Sequence, residues 1–300
     1  MSGVLSAIVP VFLIAAVGYV VCRRFRLDAH TLSTLNVYVF IPALVFGDPA
    51  KRQIEWPLLG RFALAMALLI AVMTIVLTVI ARARNMTPEQ TGAFLMTMFT
   101  NVGNFGLPVV TFAFGKGQVL SWAILIMICG SFMQNTVGVY FAQRSRHGVW
   151  KACGRVLQFP MLYAFLLMLL FNRTGWHLPA AIRNAVEITG DAAIPAQLII
   201  LGATLAENRL DSTLDVFLAC ACRLCLGPAV ALAAAWAVGL EGLAMKVFVL
   251  QLSGPVAVGM AVYGVQFQIR PGYLASVVSW SFLLSLFTVA AVLAGLYAMP

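Results

Sequence analysis

Apolar residues run along this chain in long blocks, parted by short polar turns. Ten blocks are legible, at 3–22, 31–47, 57–81, 91–115, 118–141, 156–172, 181–206, 213–238, 244–268 and 273–298. Most have the length that carries an α-helix across a bilayer. They lack the apolar-out, polar-in alternation of an outer-membrane barrel. The pattern predicts an all-α integral membrane protein of ten transmembrane helices. Two blocks are broken in the middle. The fourth reads Phe99-Thr100-Asn101-Val102-Gly103-Asn104-Phe105-Gly106-Leu107-Pro108, and the ninth reads Leu250-Gln251-Leu252-Ser253-Gly254-Pro255. Gly and Pro interrupt the backbone hydrogen-bond ladder, which lipid tolerates only where the freed groups line a cavity or pack in protein. A matched pair of such breaks points to a transporter binding site near mid-membrane.

The two halves of the chain read as repeats. Ile41-Pro42-Ala43 in the second block matches Ile194-Pro195-Ala196 in the seventh, and Pro108 matches Pro255. Each matched pair lies about half the chain length apart. Five blocks per half is an odd number, so the second copy, 146–300, would enter the membrane upside down relative to the first, 1–145. That is an inverted repeat. The polar connection with Arg144, Arg146, His147, Lys151 and Arg155 separates them. Lys and Arg concentrate after the first and fifth blocks, which places those loops inside and both termini outside.

Composition strengthens this picture. Residues are 62% apolar and only 10% charged, and the mean hydropathy is +0.97. A soluble domain would carry roughly a quarter charged residues. The net charge of +9 fits loop cations that orient a membrane chain, and no basic stripe with interleaved aromatics suggests nucleic acid. Met1 to Cys22 has no cationic start or cleavage pattern, so it reads as a retained first span.

Several polar residues fall inside the blocks. Asn101 and Asn104 sit in the first break. A half-helix N-terminus offers free N–H groups and partial positive charge to an anion, and a side-chain amide adds donors. The same residues also suit helix capping. Gly103, Gly106, Pro108, Gly254 and Pro255 read as shapers of the backbone breaks. Gln251 and Ser253 in the second break are either ligands or helix-to-helix hydrogen bonders. Arg223 lies deep in the eighth block, where a charge pairs with substrate, with a protein carboxylate or with carbonyls of a broken helix. Asp191, with Glu187 one turn earlier, lies deep in the seventh. In a cavity of low dielectric it would carry a coupling proton; under a wide outer vestibule it would face water. Gln134 and Asn135 are adjacent in the fifth block, so they point about 100° apart on an ideal helix and only one is expected at the crossover. Ser276, Ser279 and Ser281 of the tenth block read as packing residues.

Cys220, Cys222 and Cys225 argue against a metal site, because helical spacing splays Cys220 and Cys222 and no His joins them; small buried filler is the better account. No nucleotide loop, catalytic triad or dinucleotide fingerprint occurs, so neither cofactor nor enzyme activity is expected.

These residues carry a resemblance. Asn101 with Gly106-Leu107-Pro108, Arg223-Leu224 followed by Pro228, Ile194-Pro195-Ala196-Gln197-Leu198 with Leu201-Gly202-Ala203, and Tyr263-Gly264-Val265 with Pro271 together resemble the auxin efflux carrier family along essentially the whole chain. The resemblance implies two inverted five-helix repeats with helices 4 and 9 crossing at their breaks. It further implies a scaffold of spans 1, 2, 6 and 7, with Asn36 and Pro42 facing the site, and a moving bundle of spans 3–5 and 8–10. The implied activity is secondary transport of a small organic anion, such as malonate, malate or an auxin-like acid, across the inner membrane of a bacterium. Substrate contacts would come from Asn101, Asn104, Ser253, Gln251, Arg223 and Asn135, with Asp191 for proton coupling. The expected partners are the carboxylate and membrane lipid, with a homodimer open. Sodium-coupled symport of the bile-acid type and a non-transporting membrane sensor are the alternatives.

Overall fold

The computed structural model describes residues 2–25, 28–47, 55–143, 160–208 and 210–299. The connection carrying Arg144, Arg146, His147, Lys151 and Arg155 lies outside the described residues. Among the described residues, thirteen helical segments follow in chain order. They are α1 (Ser2–Phe25), α2 (Ala29–Gly47), α3 (Trp56–Ala83), α4 (Pro88–Met96), α5 (Val102–Phe114), α6 (Gln118–Ala142), α7 (Pro160–Thr174), α8 (Ala180–Asp191), α9 (Ala193–Glu207), α10 (Leu214–Ala237), α11 (Gly242–Gln251), α12 (Val258–Gln266) and α13 (Pro271–Ala298). Seven helices among the described residues are long and apolar enough to cross a membrane: α1, α2, α3, α6, α8–α9 taken together, α10 and α13. The fourth and ninth apolar blocks are each two short helices on either side of an irregular break.

Local chemistry explains the ends. Asp28 caps α2, accepting from the backbone N–H groups of His30 and Thr31. Thr87 and Gln90 form a reciprocal capping box at the start of α4, which satisfies two N–H groups that a helix start leaves free. Pro stands in the first turn of α3, α4 and α13, where its missing N–H costs nothing.

Packing sorts the helices into two groups. α1 lies along α9, and α2 packs against α7 and α8. Small residues let these backbones approach. A side chain on Gly202 would begin 1.8 Å from the Ala15 carbonyl oxygen, and one on Gly18 would begin 2.3 Å from that of Ile199. Close crossing through small residues is how membrane helices gain contact where lipid supplies no hydrophobic drive. In the other group, α3 packs on α6 and α10, α11 on α6 and α10, and α13 on α10 and α12. The rings of Phe62 and Phe248 stack at 6.0 Å between α3 and α11. The groups meet through α1 against α5, and through α9 against the first break. At that seam Phe12, Phe105 and Phe282 pack together, with Phe12 stacked on Phe282 at 4.7 Å.

Candidate functional site

The two breaks cross. Between Met96 and Val102 the chain leaves the helix through tight turns, and Thr100 comes opposite Val256 in an isolated antiparallel bridge. Asn101 N–H donates to the Pro255 carbonyl at 2.9 Å, and Ala257 N–H donates to that of Phe99 at 2.8 Å. Each break thus satisfies backbone groups that the other leaves free, which is what permits irregular backbone at membrane depth. Val256 N–H donates to the hydroxyl of Ser281 on α13 at 3.0 Å, so a serine expected only to pack also holds the second break.

Arg223 sits at the centre of this crossing. It is fully buried, within a π-helical turn of α10. Its guanidinium donates to the Gly254 carbonyl at 3.2 Å, to the Met98 carbonyl at 3.0 Å and to the Leu252 carbonyl. Met98 and Leu252 lie just past the C-terminal ends of α4 and α11, so one cation answers the negative ends of both half-helices. Gly227 makes room for it: a Cβ there would begin 2.8 Å from the guanidinium carbon.

Gln251 and Ser253 are also fully buried within the crossing. Gln251 Nε2 donates to the carbonyls of Val102 and Ala123 at 3.0 and 2.8 Å. Ser253 donates to the Val249 carbonyl at 2.6 Å. Gly106 is required against Gln251, whose Cγ would lie 2.7 Å from a Cβ, and Gly254 is required against the Phe105 ring at 2.8 Å. Gly103, Gly106 and Pro108, expected to make the first break, lie inside α5 just past it: the first two are in its π-helical start, and Pro108 falls in the first turn of the α-helical run that follows, where its missing N–H costs nothing. Of the residues expected as substrate contacts, Arg223, Gln251 and Ser253 therefore build the crossover and stand outside the lining of the adjoining cavity. The sequence marked their depth but not their partners.

That cavity has a volume of about 330 Å³ and is lined from both helix groups. Asn101 comes from the end of the first break, Gly103 and Asn104 from the start of α5, Ala257 and Gly259 from the start of α12, Gln134 and Asn135 from α6, Ser33 and Val37 from α2, and Met161 from α7. Among the described residues, the lining contains no Asp, Glu, Lys, Arg or His. Its walls are mostly apolar, and its polar groups are amides and hydroxyls. Two half-helices, α5 and α12, begin at it, so both present their positive N-terminal ends.

Asn101 caps α5: its Oδ1 accepts from Asn104 N–H at 3.1 Å. Its Nδ2 is buried with no partner, although the residue is only 6% exposed. Asn104 is half-buried on the same turn. Asn135 Nδ2 donates to the Ser131 carbonyl at 2.7 Å, and its Oδ1 accepts from the Tyr263 hydroxyl on α12. Gln134 lines the cavity beside it, contrary to the expectation that only one of the adjacent pair would reach the crossover. Residues 134–138 form a π-helical turn, and a π-turn rotates neighbouring side chains by less than the α-helical angle. Tyr263 and Gly259 were missed as lining residues because nothing in their local pattern separates a lining face from a packed one.

Asp191 lies elsewhere. Its side chain is 71% exposed at the end of α8, 3.6 Å from Lys116 in the turn between α5 and α6. It stands outside the lining of the crossover cavity. The ion pair crosses from one helix group to the other beside a small cavity of about 110 Å³.

A cavity at the crossing of two interrupted helices, walled by two helix groups, is the architecture of a membrane transporter. Comparison with known proteins gives the same class and then the family. The sequence profile described as membrane transport protein matches residues 3–151 and 149–293. The chain belongs to this family, that of the auxin efflux carriers. It is 28% identical over 295 residues to an uncharacterized transporter of Methanothermobacter thermautotrophicus, covering 95% of each chain. An uncharacterized transporter of Methanocaldococcus jannaschii is 22% identical over 273 residues, covering 87% of this chain and 88% of its own. A probable auxin efflux carrier component 1b of Oryza sativa subsp. japonica is 28% identical over 146 residues, 46% of this chain and 26% of its own.

Proposed function

We propose that this membrane transporter moves a small organic anion, a carboxylate, across the cell membrane by alternating access. The observation that carries the reading is the cavity at the crossover. Among the described residues it holds no acidic side chain, receives two helix N-termini, and contains a buried Asn101 amide N–H₂ with no protein partner. Such a site favours negative charge without a formal cation, while Val37, Ile41, Met127 and Val262 would take an apolar body. Asn101 and Asn104 would bind the carboxylate, with Gln134 and Asn135 beside it.

In this reading the chain makes ten membrane passes in two inverted five-helix repeats. α1, α2 and α7–α9 form the scaffold, and α3–α6 with α10–α13 form the moving bundle. The cavity is shared between them, as alternation requires. Arg223 already occupies the carbonyl cluster at the crossover with a fixed charge, which argues against a sodium ion bound there. Asp191, exposed and paired with Lys116, acts as an outer contact between scaffold and bundle rather than as the proton carrier.

The test is uptake of radiolabelled malonate, malate and indole-3-acetate into proteoliposomes, with proton and sodium gradients imposed in turn. Accumulation of one of these acids above protein-free liposomes is expected, and it persists without sodium. No uptake of any of the three would overturn the carboxylate assignment.

A further inference from the structure

Gln197 on α9 is fully buried, and neither its Nε2 nor its Oε1 has a partner. Among the described residues it is the one side-chain amide with both polar atoms orphaned. Buried polar groups are almost always paired, and one left wholly unpaired calls for a reason. Its place supplies one. A side chain on Gly103 would begin 4.0 Å from Gln197 Nε2 and 3.4 Å from Met127 Sδ. Gly103 and Met127 both line the crossover cavity. Gln197 therefore stands one layer behind the cavity wall, where glycine leaves that wall without a side chain. The bundle side of the same break carries another orphan donor that lines the cavity, Asn101 Nδ2.

We infer that Gln197 is the scaffold's specificity-determining residue: through the gap at Gly103 its amide reads a second polar group on the substrate, one that both donates and accepts a hydrogen bond. The inference rests on the carboxylate reading above. A primary amide with both atoms free is complementary to a hydroxyl or a protonated carboxyl, which use its Nε2–H and its Oε1 together. Asn101 and the two helix N-termini hold the carboxylate, and Gln197 selects what stands next to it. The substrate is then a bifunctional acid. Because the two contacts come from opposite helix groups, the ligand bridges scaffold and bundle. It thereby stabilises the closed arrangement more than either open one, which is how a ligand shifts such an equilibrium.

Three acids test this by calorimetric titration of the purified protein: propionate, with one carboxylate; lactate, which adds a hydroxyl; and malonate, titrated at a mildly acidic pH as its monoanion, which adds a protonated carboxyl. Wild type is expected to bind lactate or malonate at least about ten-fold tighter than propionate, since a site built to hydrogen-bond a group rejects the analogue that lacks it. The arm that shows the preference identifies the group. In Gln197→Leu the preference falls to within about two-fold while propionate affinity is kept, because only the second contact is lost. Gly103→Ala, whose methyl enters the gap at ordinary contact distances, gives the same collapse and serves if the leucine variant does not fold. A preference unchanged in both variants, or absent from wild type, overturns the inference and leaves the carboxylate site standing. No binding of any acid to wild type overturns the carboxylate reading and this inference with it. Independently of ligand identity, Gln197→Cys in a background lacking the six native cysteines should react with an anionic methanethiosulfonate. Failure to react above the cysteine-free control would show that position 197 never meets the aqueous cavity, and would also overturn the inference.

Discussion

Asn101 performs two tasks that substitution can separate. Its Oδ1 accepts from Asn104 N–H at 3.1 Å and caps α5; its Nδ2 is buried and free. Asn101→Ala removes both. Loss of the cap costs about 1 kcal/mol of stability. Loss of a donor to a bound carboxylate costs about 1.5–3 kcal/mol of affinity, or roughly 10- to 150-fold in Kd. Asn101→Asp keeps an oxygen for the Asn104 N–H and keeps the cap, but it replaces the donor by an acceptor. The helix N-terminus favours the ionised form of the new carboxylate, which then repels an anion. The expected order of melting temperature is wild type and Asn101→Asp together, with Asn101→Ala below them. The expected order of affinity is wild type, then Asn101→Ala, then Asn101→Asp with no detectable binding. Calorimetric titration with malonate, beside thermal melting in detergent, measures both orders. An Asn101→Asp protein that binds malonate within two-fold of wild type would refute the assignment of Nδ2 to the anion.

Three further outcomes follow from the geometry. Arg223→Lys replaces a planar fork by a single ammonium that cannot serve the carbonyls of Met98, Leu252 and Gly254 together. It should lower stability by about 2–4 kcal/mol, read by chemical or thermal melting, since at least one charge-assisted bond is lost; a change under about 0.5 kcal/mol would contradict the bracing role. Gly202→Val should destabilise by about 3 kcal/mol or more because its Cβ would begin 1.8 Å from a backbone oxygen of α1. Gly295→Ala, with open space around it, should melt like wild type, and equal melting of the two variants would count against the close crossing. Asp191→Asn breaks an exposed pair with Lys116 worth about 0–1 kcal/mol. The pH profile of uptake should survive it, and a flattened profile would restore Asp191 as the proton carrier.

The chain order of Gly, Pro and Asn located the second break and came within about a turn of the first, because these residues act on their own backbone. Ser253-Gly254-Pro255 falls in the interruption of the ninth block, whereas in the fourth the interruption lies at 97–101 and Gly106-Leu107-Pro108 is carried inside α5, its π-turn running into an α-helix. The apolar blocks likewise declared a membrane protein, since burial in lipid depends on composition more than on partners. Arg223 shows where such reasoning stops. Its depth was legible, but whether it met substrate, carboxylate or carbonyl depended on α4 and α11, which arrive from distant parts of the chain. The exposure of Asp191 turned on how α8 sits against the turn between α5 and α6. A π-turn, invisible to a fixed helical angle, brought Gln134 and Asn135 to one cavity. The sequence alone determined that these two blocks must fail, for that is a property of single residues. The tertiary structure decided which groups fill the failure and which stay free, because hydrogen-bond partners are chosen through space.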